Sequence, residues 1–122
     1  MSITPRLSIL IPAYKAKETI RAAINSAMCE HEVQFIVAPD DGTNDYKCLE
    51  DEYEGKVIVL EPTYKTGPGP GRNRAFAAAT GELITMLDAD DEFSEGAVSE
   101  AIALCAQSSN GVAFFQTQFR NR

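Results

Sequence analysis

Three short segments gather the groups in this chain that can bind or move charge: Pro12-Ala13-Tyr14, Asp40-Asp41-Gly42 and Asp88-Ala89-Asp90-Asp91. Asp88 and Asp90 flank an alanine, a spacing that lets two carboxylates approach one hard cation such as Mg²⁺ or Mn²⁺. The competing reading is that the carboxylates favour the N-terminus of a following helix, which suits Glu92 and Glu95 best. For Asp88 and Asp90 it is weaker, because adjacent carboxylates repel one another and are easiest to tolerate with a cation between them. Asp40 and Asp41 precede a glycine, which taken alone is turn chemistry. After a strand, a carboxylate there can instead accept an N–H from a base or a hydroxyl from a ribose. Tyr14 either stacks on a base or covers the end of a sheet. Arg72 and Arg74, with Asn73 between them, either bring donors to a diphosphate or lie on the surface.

The elements that must position these groups follow from hydrophobic spacing. Residues 7–11 (LSILI) form a short β-branched run ended by Pro12, the pattern of a buried strand. Between residues 16 and 29, Ile20, Ala23, Ile24, Ala27 and Met28 recur at helical spacing, which predicts an amphipathic helix with one face on a sheet. The pattern repeats with strands at 33–38, 57–60 and 83–87, and a last apolar stretch at 112–115 adds another. A helix is expected over 72–80, stopped by Gly81, whereas the Gly/Pro run 67–71 is expected to be non-helical. A final helix carries Val98, Ala101, Ile102 and Cys105 on one stripe, with Ser94 as its N-cap. Strands alternating with helices imply a largely parallel sheet covered on both faces. In such a sheet ligands bind beyond the carboxyl ends of the strands, so the three segments should meet at one rim.

Composition narrows the function. The chain has 122 residues, enough for one domain, with 44% apolar and 24% charged residues. Eleven basic against eighteen acidic residues give a net charge of −7, which repels nucleic acid and anionic membrane surfaces. A phosphate ligand therefore needs local help from a cation, a helix N-terminus or a cationic cluster. Three cysteines without metal-ligand spacing fit reduced thiols and a cytoplasmic setting. No stretch is long and apolar enough to enter a bilayer. The glycine run matches neither the dinucleotide-binding pattern nor the phosphate loop. The single histidine, His31, lies between a helix and a strand, and no nucleophile-elbow pattern accompanies it.

The order LSILIPAYK, FIVAPDDGTND, GPGPGRNRAFAAATGELITMLDADDEF resembles the donor-binding half of family 2 inverting glycosyltransferases over nearly the whole chain. The resemblance implies a three-layer α/β/α sandwich, the Rossmann-like nucleotide-diphospho-sugar transferase fold. It also implies that Pro12, Tyr14 and Asp41 line a nucleoside pocket and that Arg72 and Asn73 lie near the donor. Asp88 and Asp90 would be the metal-binding DxD motif, with Asp90 also near the nucleotide sugar and Asp91 sharing or replacing a ligand. The expected cofactor is Mn²⁺ or Mg²⁺ and the expected donor a UDP-sugar, passed to a glycan or other acceptor. Family members continue into a segment that builds the acceptor site and supplies the general base, so that base is expected outside this chain. Exposed apolar surface left in its absence would favour a homo-oligomer.

The chain departs from the family pattern in two places: Lys15 stands where Asn is usual, and Pro39 where an aliphatic residue is usual. Pro39 also removes a backbone donor just before the acidic pair, which bears on how Asp41 is presented. One rival reading is a nucleotide-sugar-binding module without catalysis. Another is a haloacid-dehalogenase-type phosphatase, whose first motif LITMLDADDE also resembles. That motif usually lies on the first core strand and continues with Thr or Val where Glu92 stands.

Overall fold

The computed structural model describes residues 4–107. Four parallel strands form one sheet: β1 (Leu7–Ala13), β2 (Val33–Pro39), β3 (Val57–Val59) and β4 (Leu83–Met86), in the order β3-β2-β1-β4. Alternation along the strands divides the core in two. Leu7, Ile9, Ile11 and Ala13 of β1, with Val33, Phe35 and Val37 of β2, face the larger cluster. Leu10, Ile36 and Ala38 face the smaller one with Ala75. Strands β1 and β2 are therefore buried on both sides, as their unbroken apolar runs require.

Helix α1 (Ile20–Ser26) and helix α4 (Ala97–Gln107) contribute Ile20, Ala23, Ile24, Val98 and Ile102 to the larger cluster, beside Leu49 of the short helix α2 (Leu49–Glu52). Helix α3 (Pro68–Ala78) covers the other face through Ala75. This is the expected three-layer α/β/α arrangement.

Several local expectations are corrected. The Gly/Pro run is helical from Pro68 onward, because prolines in the first turn lack only N–H groups that a helix start leaves unbonded, and their fixed φ suits it. Gly71 then lets the helix lie close on the sheet, since a Cβ there would stand 3.3 Å from the Pro12 Cβ. Gly81 is not the helix stop: α3 ends at Ala78 and turns away through an extended Ala79. The glycine is required by contact, since a Cβ at Gly81 would lie 2.6 Å from Ser8 Oγ and 2.7 Å from its backbone nitrogen. The first helix is shorter than its apolar stripe and leaves Met28 exposed. Ser94 precedes α4 by three residues and accepts the Ala97 N–H through its carbonyl, while Gly96, at φ +77°, leads into the helix. The strand expected at 112–115 lies outside the described residues.

Beyond β4 the smaller face lies open. Ile84 and Met86 point out on the α3 side and are exposed, as is Phe76 on α3. Among the described residues no helix is long and apolar enough to cross a membrane.

Candidate donor and metal site

Because all four strands are parallel, their carboxyl ends share one rim, and the chain leaves β1 toward β2 on one side while β4 lies on the other. Such a reversal of strand order opens a crevice between neighbouring loops. A cavity of about 890 Å³ occupies this place, within the size range of small-molecule sites. Its walls come from the end of β1 and the loop after it (Pro12, Tyr14, Lys15), the residue after β2 (Asp40), the approach to α3 and its first turns (Lys65, Gly67, Arg72) and the loop after β4 (Asp88, Asp90, Glu92). The structure thus brings Pro12, Tyr14, Arg72, Asp88 and Asp90 together as expected. Asp41 and Asn73 are not among the lining residues: Asn73 is exposed, and Asp41 is half-buried behind the first loop.

One carboxylate oxygen from each of Asp88, Asp90 and Asp91 lies within 4.8 Å of the others. Asp91 is buried and turns back on the loop, its N–H donating to the Asp88 carbonyl at 3.0 Å. Three converging carboxylate oxygens are a donor set suited to a hard divalent cation. Arg72 supplies a positive charge beside them, its Nη2 donating to Asp88 Oδ1 at 3.1 Å. Arg74 points elsewhere. Its guanidinium donates to the carbonyls of Glu61 and Pro39 and to the Thr63 hydroxyl, fastening the segment after β3 to the end of β2. The proline carbonyl is thus the acceptor at this junction.

Asp40 and Asp41 are adjacent but do different work. Asp40 is buried. Its Oδ1 accepts from the Thr63 hydroxyl at 2.6 Å and from both the N–H and the hydroxyl of Thr66 at 2.9 Å, and its Oδ2 accepts the Gly67 N–H at 2.9 Å. Burial alone would raise its pKa, but these hydrogen bonds together hold it well below the ordinary carboxylate range. Asp40 is therefore the anchor of the loop that delivers α3 to the cavity. Asp41 faces the other way: its Oδ2 accepts the Lys15 N–H at 2.9 Å and the Tyr46 hydroxyl at 3.0 Å, while Oδ1 is buried without a hydrogen-bond partner.

Lys15 and Lys65 both line the cavity with left-handed backbones, at φ 50° and 52°. Each ammonium sits over the ring of the preceding tyrosine, 5.5 Å from the Tyr14 centroid and 5.2 Å from that of Tyr64. The left-handed region favours Gly or Asn, so Lys15 keeps the loop shape an Asn would adopt at the cost of local strain. Its N–H reaches Asp41 because of that shape. The roles of Tyr46 and Lys65 had no sequence signal, since a lone tyrosine or lysine in a polar stretch reads as surface.

Residues 8–122 match the family model described as Glycosyl transferase family 2. The chain belongs to that family. Over 101 residues it is 31% identical to GalNAc(5)-diNAcBac-PP-undecaprenol beta-1,3-glucosyltransferase of Campylobacter jejuni, covering 78% of this chain and 33% of that protein. The crystal structure of Staphylococcus aureus TarS 1-349 superposes with a TM-score of 0.69 at 27% identity, over 84% of this chain and 32% of that one. That protein has also been crystallised in complex with UDP. The mannosyltransferase PcManGT from Pyrobaculum calidifontis, in complex with GDP-Man and Mn²⁺, shares the fold at a TM-score of 0.64 and 21% identity, over 83% of this chain and 32% of that one. The chain thus spans about a third of the length of each of these three proteins. The family's nucleotide-sugar fold is the one observed, and it sets the phosphatase reading aside.

Proposed function

We propose that this chain is the donor-binding part of an inverting glycosyltransferase that takes a nucleoside-diphosphate sugar together with a divalent cation. The observation that carries this is the convergence of the Asp88, Asp90 and Asp91 carboxylates with the Arg72 guanidinium on one cavity at the sheet's reversal point. Asp88 and Asp90, with Asp91 beside them, would hold the cation, Mn²⁺ or Mg²⁺. When bound, it would neutralise diphosphate oxygens as the leaving group departs. Arg72 donates to the same diphosphate, and Tyr14 and Pro12 form the wall against the nucleoside. Asp41 accepts a hydrogen bond from the base. A UDP-sugar is the donor we favour, in keeping with the UDP complex of the TarS protein. The name of the Campylobacter relative sets its acceptor on a diphospho-undecaprenol carrier, which supports a glycan acceptor here as well. Three unpaired cysteines among the described residues suit a cytoplasmic setting.

Calorimetric titration of UDP with Mn²⁺ and with chelator, for the parent and for Asp90→Asn, tests the reading. Metal should tighten nucleotide binding in the parent by roughly 5- to 150-fold, and by linkage nucleotide should tighten metal equally. Asp90→Asn should remove most of that coupling without unfolding the chain, since Asp90 is an exposed loop residue. Equal affinities in all four titrations would make the acidic loop a helix cap.

A further inference from the structure

We infer that Tyr46 is a positioning residue that fixes the base-recognising carboxylate, Asp41, in one orientation and ties it to the loop carrying Tyr14. The inference rests on the nucleotide-sugar reading above. Tyr46 lies just before α2, outside the cavity lining, and is 1% exposed. Its hydroxyl oxygen accepts the Ala16 N–H at 3.0 Å, and its proton goes to Asp41 Oδ2, also at 3.0 Å.

The polarity of this chain is forced. The Ala16 N–H is a donor only, so the phenol oxygen must accept from it and direct its own single proton to the carboxylate. Asp41 Oδ2 receives the Lys15 N–H as well, so both of its in-plane lone pairs are used. Oδ1 keeps both of its own, and it is buried with no partner. A buried acceptor left open is costly, and each such atom calls for an explanation. A carboxylate held through one oxygen and unbonded at the other keeps an acceptor available to a ligand donor. Oδ1 is buried, so a base reaches it only through a local rearrangement, during which the two bonds to Oδ2 hold the carboxylate in place.

A phenylalanine would fill the same space in the core, so packing does not explain the hydroxyl. Its two partners do, because both belong to the loops that meet at the nucleoside end of the cavity. Uracil and guanine present an imino N–H that such a fixed acceptor can take. Cytosine and adenine present a ring acceptor in the corresponding place, which a fixed carboxylate repels. Orientation of Asp41 is therefore orientation of base choice.

The test is Tyr46→Phe in the full 122-residue chain, titrated with UDP, CDP and inorganic pyrophosphate in saturating Mn²⁺, with thermal unfolding alongside. In the parent, UDP should bind more tightly than CDP. The variant should lose about tenfold in UDP affinity, keep pyrophosphate affinity within about twofold, and bring the UDP to CDP ratio close to one. In an Asp41→Asn background the same substitution should change UDP affinity by less than about twofold. A variant with a lowered melting temperature but an unchanged UDP to CDP ratio would reduce Tyr46 to a core residue and overturn the inference. Amide exchange in the parent gives a second readout that survives an unfolded variant. The Ala16 N–H should gain protection on adding UDP but not on adding pyrophosphate, and no gain with UDP would also overturn the inference. A parent that binds UDP no better than pyrophosphate would instead remove the nucleoside reading itself, a different failure.

Discussion

Replacing Arg72 with methionine should move two affinities in opposite directions. The guanidinium and the Asp88 carboxylate are 3.1 Å apart, with side chains 36% and 52% exposed, so as a stabilising contact the pair contributes only about 0.2–1 kcal/mol. The melting temperature should therefore change by no more than a few degrees. For a divalent cation, however, the same guanidinium is a competitor already hydrogen-bonded to one of the expected ligands. A charge of +2 and a charge of +1 about 5 Å apart repel by roughly 1–2 kcal/mol in a water-like dielectric, before salt screening. Removing the guanidinium should then tighten Mn²⁺ binding to the free protein by on the order of three- to tenfold. With UDP present the sign reverses, because the arginine that left Asp88 would have turned to the diphosphate, and charge-assisted bonds of this kind contribute about 1.5–3 kcal/mol. UDP affinity in saturating Mn²⁺ should fall at least about tenfold. Manganese binding followed by electron paramagnetic resonance, and UDP binding by calorimetry, read the two effects separately. If methionine weakened both ligands, or left Mn²⁺ affinity alone, Arg72 would not be sharing Asp88 with a cation.

Asp40→Asn should destabilise the chain at pH 7 by about 2 kcal/mol, since an amide nitrogen would face either the Gly67 N–H or the Thr66 donors. The parent's folded-state pKa at Asp40 is depressed below 3.8, so the unfolded chain takes up the proton first as pH falls. Its contribution is full above about pH 5 and is lost as pH drops through the ordinary value toward the folded one. Urea unfolding at pH 7, 4 and 3 should show a steeper acid loss for the parent than for Asp40→Asn, and parallel curves would contradict the assignment. Gly81→Ala should cost about 2–3 kcal/mol, because its Cβ meets the backbone of Leu7 and Ser8 at 2.9 and 2.7 Å rather than a side chain that can swing away. Its melting point should fall by roughly 10 °C or more, and an unchanged one would mean that the strand shifts freely.

The sheet was legible in the sequence because its central strands β1 and β2 are buried on both faces, and runs such as residues 33–38 have few other uses. The acidic loop was legible for a related reason, since strand ends in a parallel sheet share a rim and Asp88 and Asp90 follow one directly. What could not be read was whatever depends on contacts between distant segments. The helical start at Pro68 conflicts with the usual reading of a Gly/Pro run, and only the packing of Gly71 on Pro12 shows why so small a residue is needed there. Arg72 and Arg74 look equivalent in the chain, but two residues along a helix are about 200° apart. One arginine therefore reaches the acidic loop while the other fastens the segment after β3.

The adjacent pair Asp40 and Asp41 shows the same limit more sharply. Neighbouring residues at a strand end point to opposite sides, so two identical side chains enter different surroundings. Asp40 has all its visible work inside the protein, with four hydrogen bonds spread over both oxygens. Asp41 has two donors on one oxygen and none on the other. A carboxylate saturated by its own chain has little left to offer a ligand, whereas one held by a single oxygen has both rigidity and an open acceptor. What separates the anchor Asp40 from the proposed recognition group Asp41 is therefore the distribution of donors around each oxygen, which residue type and spacing do not encode.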